Sequence, residues 1–590
     1  MSIRLASMIT PVTNLVLGPE RVCPACDSDG LTTRSQRHRR VQTFDGALNV
    51  TAKLAECPKL DCPTRGHLIS PSAELQLALP MLSVGWDVLC WIGHRRLARD
   101  WRVGQIREEL LESYEVTLSA DSIERYIARY EAILTAREQD PARLKQEYRN
   151  ARGLILTIDG LQPEKGHETL YVVRELLQRR VLFAAPLLSS AAPEIAQLLN
   201  VARTWAEVIA KPVLAWMSDK QDAFVTEIAT IFPGVPHRYC ANHFLRDAAK
   251  PILEADAHAK VQMRRKVRGL RAIEREVLSG RATPEAKTAL TSPSTPPPAP
   301  VHTQPPPPAA IPAPHAALPT APSPLKPASA KNATASEVVL EYCAAVRGIL
   351  NDDQGGPLHP PGLRMAEALG QVRTSLQRLI DIPTLALERR LLCRLAGCID
   401  HGVSLVRKDL ANVREHVVTI GKVQKCLEPQ SQRTIEERKR DFDTLASLLI
   451  ASDDLVHIHI GKTMRSFAPG LFVGGDIPEI PSDNLDLERA FKHPKRHCRR
   501  IHGRAHAGAS IVQTGPTLLA SLDAHLRHPA VFTARDLLPY RHAEPPPCQR
   551  EALQRRTIMR AARSKIKRPR LLKKLERSYL SALGLIAPSQ

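Results

Sequence analysis

From residue 291 to residue 330 the chain reads TSPSTPPPAPVHTQPPPPAAIPAPHAALPTAPSPLKPASA, a tract holding fifteen of its 48 prolines and almost no charge. Proline fixes φ and lacks a backbone donor, so the tract suits neither a helix interior nor the middle of a sheet. It reads as an extended, semi-rigid spacer, with a PxxP docking site for a partner as the alternative. A chain interrupted in this way cannot build one continuous core. At roughly 100 to 200 residues per domain, its 590 residues lead to an expectation of three to five domains.

Charge narrows the partner. Lys and Arg number 82 against 61 Asp and Glu, a formal charge of +21 and more than solubility requires, so a polyanion is the expected partner. Apolar residues make up 43%, enough for several cores, whereas aromatic residues at 4% are too few for a protein that reads single strands mainly by stacking. Duplex nucleic acid is the better match. The first twenty residues lack the uninterrupted apolar stretch of a signal peptide, and nowhere do about 18 apolar residues run together. The expectation is a soluble, non-exported protein with no membrane partner. Twelve scattered cysteines, with one tight early grouping at metal-ligand spacing, fit a reducing cytoplasm.

Periodicity divides the rest. Residues 83–134 carry apolar side chains at three- and four-residue steps; Ser119 is a candidate N-cap, and 121–133 a candidate second helix of a helix-turn-helix, with an ordinary helical bundle as the other reading. From Gly153 the pattern turns to strands. GLILTID ends in Asp159, ETLYVVREL and VLFAAPLL follow at turn-length spacing, PVLAWMSD ends in Asp219, and HRYC is a fifth candidate. Helical period appears in APEIAQLLNVARTWAEVI, QDAFVTEIATIF and ANHFLRDAAKPIL. Three strands, then helix, strand, helix, strand and helix make a mixed α/β sheet. Beyond the spacer, 337–451 is mostly helical, and from 485 onward the chain is helical and heavily basic.

Cys23 and Cys26, thirty residues, then Cys57 and Cys62 form a C-x2-C…C-x4-C pattern whose four thiolates suit a tetrahedral, structural zinc; unrelated buried thiols are the bland reading, and His67 is a substitute ligand. Asp159 and Asp219 are the main catalytic candidates. Acids ending adjacent strands converge, and two such carboxylates hold hard divalent cations; turn-forming Asp after a strand is the alternative. Asp222, one helical turn on, belongs to the first turn of a helix. Cys240 and His243 form a C-x2-H, half of a metal site or a satisfied core pair. Glu488 sits at a helix start with Lys492, Lys495, Arg496, Arg499, Arg500 and Arg504 behind it. His493, His497, His502 and His506 interleave with these bases and read as phosphate contacts or solvent-exposed groups. Residues 549–577 carry twelve Lys or Arg and two Glu, a phosphate-binding stretch or a solvated tail.

ILTIDG with Asp159, WMSDKQDAF with Asp219, Cys240 with His243, and DNLDLERAFKHPKRHCRRIHGR with Glu488 together resemble the DDE transposases of bacterial insertion sequences, more narrowly those whose ribonuclease H-like core is interrupted by a long helical insertion, as in Mutator-like and related elements. The resemblance covers most of the chain, and the proline-rich spacer departs from it. It implies a multidomain α+β/α fold: a zinc-binding module (1–70), a helix-turn-helix region (71–150), a ribonuclease H-like mixed sheet (151–255), an all-α insertion (256–480) containing a disordered Pro-rich linker (291–335), a final core part with the third acid (481–530) and a basic tail (531–590). It implies metal-dependent cleavage and strand transfer of DNA. Asp159, Asp219 and Glu488 would hold two Mg²⁺ ions, beside a structural Zn²⁺. Asp483 and Asp486 are rivals for the third place, but Glu488 matches the family's asparagine, two residues, Leu-Glu pattern. Partners would be double-stranded DNA, as transposon ends and target, and further copies of the chain in a synaptic assembly, in a bacterial cytoplasm at the nucleoid. A non-catalytic DNA-binding regulator derived from a transposase is the alternative.

The spacer reading makes a first prediction. Deleting residues 291–330 leaves the thermal unfolding transition and the solubility of the chain unchanged; a collapse of either shows that the tract packs against something.

Overall fold

The computed structural model describes residues 12–162, 168–280, 335–382, 386–429, 433–475, 477, 479–503 and 508–585. The proline-rich tract, Arg504 and His506 lie outside them. The chain divides into two compact units, one of residues 1–244 with 467–590 and the other of 245–466.

The first unit opens with a sheet that the sequence reading did not identify. Strands β1 (Thr13–Leu17), β2 (Thr32–Thr43) and β3 (Gly46–Glu56) lie in the order β1-β3-β2, with β2 antiparallel and β1 parallel to β3. Asp45-Gly46 ends the tight β2–β3 turn, and Gly46 at φ +120° takes a conformation that a side chain would resist. Helices α1 (Ser72–Leu77), α2 (Trp86–Leu97), α3 (Val103–Tyr114), α4 (Ala120–Glu138) and α5 (Pro141–Glu147) follow. Ser119 caps α4, its Oγ accepting the Ser122 N–H at 3.1 Å.

The second sheet is built from β4 (Leu154–Leu161), β5 (Thr169–Glu175), β6 (Arg180–Leu187), β7 (Val213–Ser218) and β8 (His237–Tyr239), in the order β6-β5-β4-β7-β8. The first three are an antiparallel meander, whereas β4–β7 and β7–β8 are parallel. Parallel neighbours need crossovers, and α6 (Ala192–Ile209) and α7 (Asp222–Ile231) supply them; α8 (Ala241–Ala248) leaves β8. One face of β4 and β7, with Leu154, Leu156, Ile158 and Trp216, packs on Ile195, Leu198 and Leu199 of α6 and on Phe224 and Ile228 of α7. The opposite face, with Ile155, Ala215 and Met217, meets Ile480. A sheet covered on both sides explains why its strands read as continuous apolar runs.

In the second unit every described element beyond α8 is a helix: α9 (Lys250–Lys266), α10 (Leu270–Gly280), α11 (Ala335–Leu350), α12 (Pro361–Ile380), α13 (Ala386–Ser404), α14 (Arg407–Leu427), α15 (Ile435–Ile450) and α16 (Leu455–Leu471), which runs past the unit's last residue. Helix α9 packs against α12, α13 and α14. The buried Asp256 carboxylate accepts the Gly362 and Leu363 amides at the start of α12, at 2.6 and 2.7 Å. A Cβ on Gly362 would fall 2.6 Å from the Asp256 carbonyl oxygen, so the approach requires glycine.

The first unit is completed by α17 (Leu485–His502), α18 (Gly508–Arg527), α19 (Ala534–Leu537), α20 (Pro547–Arg563) and α21 (Arg568–Ala582). Helix α18 lies on β6 and α4. Their junction holds a buried charge cluster. Glu138 accepts from Arg180 at 2.9 Å, and Asp523 accepts from Arg174 at 3.0 Å and Arg527 at 3.2 Å. Burial pulls Arg180 down to about 10, with the like charge of Arg527 adding to it. Burial pushes Glu138 up, but Arg527 and Arg180 outweigh it and hold the carboxyl below the usual range.

Glu138→Gln takes the ion-pair partner from Arg137 and one of two from each of Arg180 and Arg527, which keep Glu147 and Asp523, and the excess buried positive charge should cost up to about 3–5 kcal/mol in a denaturant unfolding experiment. Because the folded value of Glu138 is depressed, its contribution is complete above the ordinary carboxylate value near pH 4.3 and fades as pH falls below it. The variant should therefore lose less stability than the parent over that acid range.

Candidate acidic site and cysteine cluster

Strand register brings the first two acids together. Thr157 of β4 pairs with Met217 of β7 in parallel register; two residues further on come Asp159, still within β4 and paired with Val172 of β5, and Asp219, the residue just past the end of β7. Thr157 shares the face of β4 that carries Asp159, and its Oγ1 donates to Asn484 Oδ1 at 2.7 Å. Asn484 immediately precedes α17. Its backbone N–H donates to Cys240 Sγ at 3.3 Å, and the Ala241 N–H donates to the Ser482 carbonyl at 3.0 Å. Thr157, Cys240 and Asn484 are at most 1% exposed. The start of α17 is thus fixed to β4 and to the β8–α8 corner, and Glu488 lies one turn on, its N–H donating to the Asn484 carbonyl at 3.1 Å.

The acids themselves are half-buried and open to solvent. Burial is the largest influence on Asp159 and raises it to about 6; the Gly160 N–H, 2.7 Å from Oδ1, opposes this, and the charges of Asp219 and Glu488 both push it higher. Asp159 thus feels both of the other acids. His243 is held above the usual imidazole value, at about 9, by the Cys240 sulfur first and then, against its own burial, by Asp159 and Asp219. A cationic ring therefore stands beside the acids.

The rival acids are engaged elsewhere. Asp483 Oδ1 accepts the Leu485 N–H at 3.0 Å, and Asp486 Oδ2 accepts from Arg174 at 2.9 Å. Asp222 is the first residue of α7. Among the described residues, Asp159, Asp219 and Glu488 are not a group whose ligand atoms all lie within 4.8 Å of one another, so what speaks for a hard divalent cation such as Mg²⁺ is the carboxylate-only chemistry of the three side chains alone.

The four cysteines of the amino-terminal region converge. Their sulfurs all lie within 4.8 Å of one another, with Cys23–Cys62 at 3.6 Å and Cys26–Cys57 at 3.7 Å. Tetrahedral zinc with bonds of about 2.3 Å separates its sulfurs by roughly 3.8 Å. The group could hold a structural metal such as zinc. Backbone N–H groups and the Thr64 hydroxyl lower Cys23 to about 6, which favours the thiolate a metal needs. His67 is exposed and outside the group.

One reading needs correction. His497, taken as a phosphate or solvent-facing residue, is 1% exposed, and its Nδ1 lies 2.7 Å from Asp100 Oδ1. It belongs to the inward face of α17 with Leu487, Phe491, Pro494, Cys498 and Ile501, and that three- and four-residue spacing was the available signal. His493 is half-buried and His502 exposed. Lys492, Lys495, Arg496, Arg499 and Arg500 form the exposed side of the helix. Sequence reasoning also missed the exposed bases of β2, Arg34, Arg37, His38 and Arg40, and the tie made by Thr157 and Asn484. The α4 reading has its own limit: the second half of the helix is largely buried, and its exposed first half carries Asp121, Glu124 and Arg125. Among the described residues, no helix is long and apolar enough to cross a membrane. No model of a known protein family matches the chain, and no curated protein matches it.

If the acids act on one another as described, replacing Asp219 by Asn lowers the Asp159 value from about 6 toward the ordinary carboxylate range, as read from the side-chain ¹³C shift in aspartate-labelled protein. The sign for stability is opposite to that of Glu138. A raised folded value makes stability fall as pH rises from about 4 to about 6, and Asp159→Asn removes that decline.

Proposed function

We propose that the chain is a DDE transposase, which cuts DNA at the ends of a mobile element and transfers the freed strand to target DNA. The observation that carries this reading is the shared electrostatics of Asp159, Asp219 and Glu488, drawn from two strand ends and a helix far apart in sequence. Support comes from the five-stranded order, a three-strand antiparallel meander extended by two parallel strands, which is consistent with the ribonuclease H-like core that this reading expects. In this reading the helical unit of residues 245–466 is the insertion between Asp219 and Glu488.

Asp159, Asp219 and Glu488 would hold two Mg²⁺ ions, which when bound supply positive charge at the reacting phosphate and acidify water. The remaining work falls to the chain. With Asp159 at about 6, its carboxyl is largely ionised at neutral pH. The Gly160 amide fixes one Asp159 oxygen, and the other would be the one to bind the ion. In the first step water attacks the phosphodiester at the element's end and the 3′-oxygen leaves, taking a proton to become a hydroxyl. In the second, that 3′-hydroxyl loses its proton as its oxygen attacks a target phosphodiester, a new phosphodiester forms, and the target strand's own 3′-oxygen leaves and takes up a proton.

The basic side chains of β2, α17, α20 and α21 supply affinity through phosphate contacts, which carry no sequence information by themselves. The four-cysteine module, with structural zinc, and the α2–α4 helices would recognise the element's ends.

Strand cleavage of duplex DNA carrying the sequences that flank the coding region, in Mg²⁺, tests the proposal. Asp159→Asn, Asp219→Asn and Glu488→Gln should each reduce cleavage by more than about 100-fold while leaving DNA affinity within a few-fold. If all three variants cleave as the parent does, the reading is wrong. A parent protein that binds this DNA without cutting it is the transposase-derived regulator instead.

A further inference from the structure

Within the helical unit, three side chains converge, two from helices and one from the residue before a helix. His416 lies on α14; Asp454 immediately precedes α16, and His457 lies in its first turn. Each offers a ligand atom, and these atoms lie within 4.8 Å of one another. The two imidazole rings stand edge to face, with centroids 5.3 Å apart and an interplanar angle of 84°. We infer that His416, Asp454 and His457 form a binding site for a divalent transition-metal ion, zinc first, with a fourth coordination position left to solvent or to a small ligand.

The surroundings divide each side chain's bonds as a metal site requires. Asp454 Oδ1 is occupied by the Val456 and His457 amides, at 2.7 and 3.3 Å, so Oδ2 is the oxygen turned toward the rings. It lies 2.8 Å from His416 Nε2. Tetrahedral ligands bound at about 2.0–2.1 Å sit roughly 3.3 Å apart, so this pair needs to open by only about half an ångström. The two His457 nitrogens stand near hydroxyls, Nε2 at 3.2 Å from Thr419 Oγ1 and Nδ1 at 3.4 Å from Ser452 Oγ. Whichever nitrogen ligates, the other keeps a partner that orients the ring.

Donor chemistry selects the ion. Two imidazoles and one carboxylate are poor ligands for Mg²⁺ or Ca²⁺, which prefer all-oxygen sets, and good ligands for zinc and its transition-metal neighbours. Three protein ligands rather than four leave a position open. One of the three, His416, also lines a cavity of about 450 Å³ with His258, Asp409, Asn412 and Val456.

The bland account is a helix cap joined to an ion pair, and it makes a different prediction for one substitution. Asparagine caps helices as well as aspartate, so Asp454→Asn preserves the amide contacts, but its neutral amide is a poor metal ligand. This inference stands apart from the transposase reading, and its test uses no DNA. The full chain is loaded with Zn²⁺, freed of loosely held ion and analysed for metal content; Co²⁺ substitution then separates thiolate from nitrogen–oxygen sites by the presence or absence of sulfur-to-metal charge transfer. The parent should hold one equivalent more than its cysteine cluster does. Asp454→Asn and His457→Gln should each lose that equivalent, with unchanged helix content and unchanged thiolate charge-transfer absorption. If the parent binds only at the cysteines, or if well-folded Asp454→Asn retains the full complement, the inference is overturned.

Discussion

A single hydrogen bond between two buried side chains, Thr157 and Asn484, joins stretches of chain 327 residues apart, and the acidic site depends on it. Its hydroxyl and amide are both out of water, so neither can replace its partner with solvent. Leaving such a group unsatisfied costs about 1–3 kcal/mol, enough to hold the start of α17 in one place. Cys240 adds a second tie through the Asn484 amide, and Ser482 a third through Ala241. Glu488 is then carried to the acids by helical geometry, one turn beyond the anchored residue.

That anchoring matters because the acids resist assembly. Asp159 is raised by its own burial and by both other carboxylates, so the site is a local cost that packing elsewhere must offset. The offset is visible in the sheet. Apolar side chains cover β4 and β7 on both faces, from α6 and α7 on one side and from Ile480 on the other. The cationic His243 relieves part of the repulsion, since its charge lowers Asp159. An arrangement held by rigid apolar strands and tuned by one cation can keep Asp159 within electrostatic reach of the other two acids before any ligand arrives.

Sequence made the second sheet readable because its strands are short, apolar and bounded; Asp219 directly follows the end of β7, whereas β4 runs two residues past Asp159, to Leu161, where pairing with β5 continues. Glu488 was readable by its place at the start of a helix. The first sheet was not, for a physical reason. Most of β2, TTRSQRHRR, is polar and exposed along its length, so it has no alternating apolar face, and only the Asp45-Gly46 turn announced a hairpin. Asn484 was read as part of a family pattern, but its bond to Thr157 joins residues that no local pattern relates. His416 and Asp454 are likewise 38 residues apart, and nothing in periodicity pairs them. His497 is the reverse case: the apolar spacing of α17 included it, but its basic neighbours suggested the wrong environment.

The three clusters differ in the atoms they offer, and this difference carries an argument about metal selection within the proposed reading. Zinc binds nearly every donor set more tightly than magnesium, so an oxygen-only site such as Asp159, Asp219 and Glu488 cannot exclude it by affinity alone. Its selectivity rests on abundance and on the incomplete, oxygen-rich coordination that magnesium accepts. Thiolates at Cys23, Cys26, Cys57 and Cys62 lie at the other extreme, soft enough to take zinc and to keep it. The His416, Asp454 and His457 cluster stands between them. A protein that needs magnesium at one centre therefore gains from tighter zinc sites elsewhere only if they fill at zinc levels too low to occupy the acids. That ordering follows from donor chemistry and not from where in the fold each cluster sits.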